Sequence, residues 1–138
     1  MADPLLLDTC AIIWVANDEP IAKEAREAIA AALVADAPLY VSPISAWEVG
    51  MLAARRRISL RMSPEKWFDR LLGAPGLRLA ELSPSLLIAS SFLPGDTPAD
   101  PADRIIAATA REYDLRVVTR DRRLLAYAES GYCRALAC

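Results

Sequence analysis

Short apolar runs that end in a polar residue alternate along this chain with segments of helical period, and this alternation restricts the possible folds more than any other feature. The runs are "PLLLD", "LYVS", "LRLAEL" and "LRVVT", with "YCRAL" as a weaker fifth. Between them, Ile21, Ala25, Ala28, Ile29, Ala32 and Leu33 mark one apolar helix face, and Trp67, Phe68, Leu71 and Leu72 another. Strands alternating with helices predict an α/β domain. Its central, mostly parallel five-stranded sheet would be flanked by helices on both faces. At 138 residues one domain spanning 1–138 is expected, with neither an internal repeat nor a low-complexity linker.

Helix starts are legible. Ser42-Pro43, Ser63-Pro64, Ser83-Pro84 and Asp100-Pro101 each put a side-chain oxygen at the N-cap and a proline at the first helical position, where its missing N–H costs nothing. The last of these lies in "GDTPADPADRIIAATA" and raises a question. Asp100 reads as a cap and Asp103 as an acid favouring the positive helix end, yet both also suit a metal.

The same two uses stay open for three other acids. Asp8 closes the first strand and could cap the helix starting around Thr9 and Cys10. Glu48, in "SPISAWEVG", could complete a capping box with Ser45, and Asp121, in "VVTRDRRLL", could cap the short helix carrying Leu124 and Leu125. What links them is position. Asp8, Glu48, Asp103 and Asp121 all fall after strand ends or in first turns of helices, the edge where an open parallel sheet binds ligands.

Composition narrows the chemistry. There is no histidine, which excludes Ser-His-Asp and Cys-His mechanisms and histidine-based metal sites. Cys10, Cys133 and Cys138 form neither a disulfide framework nor a zinc set and fit a reducing cytoplasm. No apolar run approaches the ~20 residues of a membrane span, and "MADPLLLDTC" lacks the features of a secretory signal, so a soluble, cytoplasmic protein is expected. Carboxylates must therefore carry any chemistry. Two of them about 4 Å apart repel by roughly 4 kcal/mol at an effective dielectric near 20, so a converging group must protonate or hold a hard cation such as Mg²⁺ or Mn²⁺.

Charge is segregated. The first fifty residues carry two basic and eight acidic side chains, the remainder fourteen and ten, and all basic residues but Lys23 and Lys66 are arginine. That bias suits phosphate recognition. Arg55, Arg56 and Arg57 form the densest run, which could equally complement a helix C-terminus. Trp14 and Trp47 are expected in the core, with stacking on an unpaired base as the alternative. Trp67 and Phe68 read as core or as part of an interface groove, and "SSFLPGDTPADP" as a loop shaping target choice.

In order, "LLLDTCAIIW", "SPISAWEVG", "DPADRIIAATA" and "VVTRDRRLL" resemble the PIN-domain ribonucleases, in particular the VapC-type toxins of bacterial type II toxin–antitoxin pairs. The likeness runs from Asp8 to Asp121. It implies a Rossmann-like parallel sheet and an acidic metal-binding and catalytic quartet of Asp8, Glu48, Asp103 and Asp121. Thr9 and Thr119 would orient those acids, with Asp100 as a cap of possible supporting role. It further implies hydrolysis of RNA phosphodiesters by a water activated by Mg²⁺ or Mn²⁺, a homodimer, and a small antitoxin as partner. Arg55, Arg56, Arg57, Arg104, Arg120, Arg122 and Arg123 are the candidate RNA contacts.

Two Mg²⁺-dependent rivals fit less well. A response-regulator phosphoacceptor domain would show an acidic pair after the first strand and a late lysine, but Leu7 precedes Asp8 and both lysines are misplaced. A haloacid-dehalogenase-like phosphatase would have a second aspartate where Cys10 stands. A non-catalytic nucleic-acid or protein binding module on the same fold remains the alternative.

Overall fold

A computed structural model describes residues 3–138. The chain order is β1 (Leu5–Leu7), α1 (Thr9–Ala16), α2 (Lys23–Val34), β2 (Leu39–Val41), α3 (Pro43–Ala54), α4 (Pro64–Leu72), β3 (Leu77–Leu79), α5 (Pro84–Ala89), α6 (Pro101–Tyr113), β4 (Arg116–Thr119), α7 (Arg122–Glu129) and β5 (Arg134–Ala137). The five strands form one sheet in the order β3-β2-β1-β4-β5, and every pairing is parallel. The weak run "YCRAL" does form a strand, at one edge, and the LRLAEL run supplies only the short opposite edge strand β3.

β1 lies at the centre and is all leucine because both of its faces are covered. Leu5 and Leu7 point into a layer with Ala11, Ile12 and Ile13 of α1, Ala25 and Ala32 of α2, Val49 of α3, and Trp67 and Phe68 of α4. Leu6 points the other way, against Ile106, Ala107 and Ala110 of α6 and Leu124 and Tyr127 of α7. The two-residue period of the strand thus divides one leucine run between two cores. Leu6 is fully buried, so its truncation to alanine would cost about 2–5 kcal/mol. Trp67 and Phe68 are core residues.

All four proline-led helices start where expected. Ser42 accepts from the Ile44 N–H at 3.1 Å, Ser63 from Lys66 at 3.3 Å, Ser83 from Leu86 at 3.2 Å, and Asp100 from Asp103 at 3.1 Å. Glu48 is not part of a capping box. Ser42 already caps α3, which puts Ser45 inside the first turn and leaves both Ser45 and Glu48 free to face a neighbouring helix. Trp47 is a second correction. It is 60% exposed, because the side of α3 that packs on the sheet and on α4 is the one carrying Val49. Trp14 is half-buried against the core, as expected.

Because every strand runs the same way, the carboxyl ends of β1, β2 and β4 share one edge. Asp8 follows β1, Ser42 and then α3 follow β2, and Asp121 follows β4.

Candidate active site

Asp8 both caps a helix and faces the sheet edge. One of its oxygens, Oδ1, accepts from the Ala11 N–H at 2.9 Å and so starts α1, while Oδ2 accepts from the hydroxyl of Thr119 at the end of β4. The Thr119 hydroxyl in turn accepts from the Asp121 N–H at 2.9 Å. One buried threonine therefore sets the first acid and the start of the segment that carries the last. The carboxylate of Asp121 accepts from the Arg123 and Leu124 N–H groups at 2.9 and 3.0 Å, capping α7.

Thr9 does for Glu48 what Thr119 does for Asp8. Its hydroxyl donates to Glu48 Oε1 at 2.6 Å and shares a 2.9 Å hydrogen bond with the fully buried Ser45 hydroxyl. Helices α1 and α3 are tied together at this point, and the long Glu48 side chain is held toward Asp8. In the sequence alone Ser45 reads as part of a helix start, and this bridge does not show. Its signal was the three-residue spacing of Ser45 and Glu48, which places both on one face of α3.

The acids perturb one another. Asp103 is pushed up to about 7, first by partial burial and then by Asp121, Asp100, Glu48 and Asp8. Burial raises Glu48, with the Thr9 hydrogen bond opposing it and Asp100, Asp8 and Asp121 adding to it. Burial also raises Asp8, against the opposing hydrogen bonds from Thr119 and Ala11. The Cys10 thiol, at the surface but shielded on one side, is pushed up to about 11 by that shielding and then by Asp8 and Glu48. The carboxylates of Asp100 and Asp121 thus act on Asp103 and Glu48 within one field. Among the described residues, no salt bridge reaches any of them.

The donor set is oxygen alone, unpaired with any basic side chain among the described residues, which is the chemistry of a hard divalent cation. Among the described residues, no three acids stand close enough together to enclose an ion. The group is an open one. That arrangement fits Mg²⁺, which is usually bound through one or two carboxylates and keeps several waters.

The sequence matches the family model described as PIN domain over residues 5–130. The chain belongs to the PIN-domain family. It is 38% identical over 121 residues to Ribonuclease VapC22 of Mycobacterium tuberculosis (strain ATCC 25618 / H37Rv), covering 87% of this chain and 88% of that protein. Its fold is similar to that of VapBC2 from Rickettsia felis, solved bound to a DNA fragment from their promoter, with a TM-score of 0.64 at 13% identity over 96% of this chain and 97% of the other. It is also similar to FitAB bound to an IR36 DNA fragment, with a TM-score of 0.55 at 18% identity, covering 96% and 94% of the two chains.

The candidate arginines of this PIN domain fall into two groups. Arg55, Arg56, Arg57, Arg122 and Arg123 are exposed. Arg104 is half-buried and held by its Nε–H, which donates to the Pro98 carbonyl at 2.7 Å, and Arg120, though exposed, is engaged more heavily still. The run at Arg55 follows the end of α3, where Arg56 adopts a left-handed turn with φ 56°.

The loop leading to Asp100 is fixed from the other side. Tyr127 donates to the Pro94 carbonyl at 2.7 Å, Tyr132 stacks on Tyr127 at 5.1 Å, and Gly95 lies against the Tyr132 ring.

Proposed function

We infer that this PIN domain is an endoribonuclease, the toxin of a toxin–antitoxin pair, and that Asp8, Glu48, Asp103 and Asp121 hold Mg²⁺ or Mn²⁺ at its active site. The observation that carries this reading is the gathering of four carboxylates at the carboxyl edge of a parallel sheet. They lie within one field and have no basic partner among the described residues. Kinship with Ribonuclease VapC22 supports the RNA substrate.

When bound, the metal supplies a nucleophilic water at neutral pH and neutralises charge on the oxygens of a phosphodiester undergoing in-line displacement. The protein supplies position. Thr119 holds one oxygen of Asp8 and Thr9 holds one of Glu48, so each acid keeps its other lone pairs for the ion. Asp103 has no hydrogen-bonding partner for its carboxylate among the described residues, and with its pKa pushed up to about 7 it would be free to ligate the ion in its ionised form. Exposed Arg122 and Arg123, at the start of α7, receive the phosphates of the RNA beside Asp121, and Arg55 to Arg57 extend the track.

A small antitoxin protein is the partner and the cytoplasm the place of action. A homodimer would cover Leu87, Ile88 and Phe92, which are 40%, 63% and 80% exposed on and just after α5. Light scattering on the wild type and on Phe92→Glu tests this: a dimer that becomes monomeric supports it, and a monomeric wild type rejects it. No helix among the described residues is long and apolar enough to cross a membrane.

The deciding experiment is cleavage of labelled RNA by purified protein with Mg²⁺, with Mn²⁺ and with EDTA, beside Asp8→Asn. Metal-dependent cleavage that vanishes in the variant, with 5′-phosphate and 3′-hydroxyl products, supports the reading. A 2′,3′-cyclic phosphate product rejects hydrolysis by water, and wild type and variant behaving alike would return the chain to a binding module.

A further inference from the structure

Arg120 lies in sequence between the two residues that organise the site, Thr119 and Asp121, yet its side chain is directed elsewhere. The guanidinium carbon sits over the Trp14 ring, 3.2 Å from its centroid. Nε donates to the main-chain oxygen of Cys138 at 2.7 Å, and Nη2 to the Pro20 carbonyl at 3.3 Å. A planar cation can stack on an indole while its edge donates hydrogen bonds, which lysine cannot do.

Three segments meet at this side chain. Trp14 belongs to α1, the helix that Asp8 caps. Pro20 lies between α1 and α2, and Cys138 follows β5 with its own N–H donating to the Thr119 carbonyl at 3.1 Å. Both Thr119 and Asp121 are extended, and in extended chain successive side chains point to opposite sides. Arg120 is thus held against Trp14, while the side chains on either side of it turn to Asp8 and to the start of α7. Thr119 then delivers its hydroxyl to Asp8 and accepts the Asp121 N–H.

We propose that Arg120, clamped on Trp14, is a positioning residue of the acidic site: it sets the spacing of Asp8 and Asp121 and is not a contact for the RNA. This rests on the metal-dependent reading above. It also separates Arg120 from Arg122 and Arg123, its neighbours among the candidate RNA contacts.

The test uses the full chain with Arg120→Lys, Trp14→Leu, Trp14→Phe and the double variant Arg120→Lys/Trp14→Leu. Mn²⁺ affinity is measured by calorimetry without RNA, the unfolding midpoint in EDTA, and kcat and KM for RNA at saturating Mn²⁺. Loss of a group that orients metal ligands typically weakens metal binding by roughly 10–100-fold. The expected result is a fall of about ten-fold in Arg120→Lys and in Trp14→Leu, no further fall in the double variant, near-wild-type binding in Trp14→Phe, and an unchanged KM.

An unchanged Mn²⁺ affinity with a raised KM would make Arg120 a phosphate contact and overturn the proposal. So would a lower midpoint with affinity and kinetics unchanged, which would leave only a structural tie. A wild type that binds no Mn²⁺ rejects the functional reading itself and this proposal with it, whereas failure of the proposal alone appears as a wild type that binds Mn²⁺ and variants that bind it equally well.

Discussion

The hydroxyl of Thr119 donates to the carboxylate of Asp8, joining two buried residues 111 positions apart in the chain. The contact exists because β1 and β4 are adjacent parallel strands with Leu7 paired to Val118, so the residues that follow the two strands emerge side by side. It makes the site depend on a neutral side chain that no charge-based reading would single out.

Thr119→Val keeps the shape and removes the hydroxyl, leaving the Asp121 N–H without its acceptor and Asp8 with one hydrogen bond fewer. Stability should fall by about 1–3 kcal/mol, the cost of leaving such groups unsatisfied. Mn²⁺ affinity should fall by roughly ten-fold or more. Thr119→Ser should restore most of both. Urea unfolding and calorimetry on the three proteins check this, and full affinity in the valine variant would remove Thr119 from the site.

Asp103 makes metal-free stability depend on pH. Its folded pKa, about 7, lies above the ordinary aspartate value of 3.8, so the folded state holds the proton more tightly than the unfolded state. Its contribution is fully present below about pH 4 and is lost as pH rises through about 7. In EDTA the unfolding midpoint should therefore drop as pH rises from about 4 to about 7 and level off above that, and Asp103→Asn should flatten the drop. With Mn²⁺ the trend should reverse, because the ion competes with the proton and binds more tightly as pH rises. A wild-type curve in EDTA that matches Asp103→Asn at every pH would show that Asp103 titrates normally.

Binding of uncut RNA to Asp8→Asn offers a test of the exposed arginines. Removing one cation that pairs with a phosphate of a single strand should reduce the steepness of log K against log salt by about 0.7. Arg122→Ala and Arg123→Ala should each do so. Arg134→Ala should not, since that side chain is paired with Asp3 and Asp114 near the amino ends of the strands. An unchanged slope removes an arginine from the RNA track.

Gly95 has φ +79°, and a Cβ there would run into the ring of Tyr132. Gly95→Ala should destabilise the fold by about 1–3 kcal/mol through overpacking, with backbone strain added. Tyr132→Ala in the same molecule should relieve the clash but not the strain. Thermal unfolding of both variants reads the difference, and a silent Gly95→Ala would mean that the loop leading to Asp100 relaxes freely.

Much of this was legible in the sequence because it is local. The Ser-Pro and Asp-Pro pairs announced their helices, since an N-cap hydrogen bond and a fixed proline φ need only neighbouring residues. The leucine run of β1 announced a strand covered on both faces, and the order of acids announced the family. Helix capping and ligand placement were offered as alternatives for Asp8 and Asp121, whereas each side chain caps its helix and lies in the common acidic field.

Pairings between distant segments were not legible. Ser45 meets Thr9 only because α1 and α3 are brought together, Trp47 lies outside because of the way α3 turns on the sheet, and Arg120 points at Trp14 because β4 lies between β1 and β5. The sequence by itself determined which residue types stand at strand ends and helix starts. Only the tertiary structure decided which of them face one another, because strand order and helix rotation come from packing the whole apolar surface at once, and no local pattern encodes them.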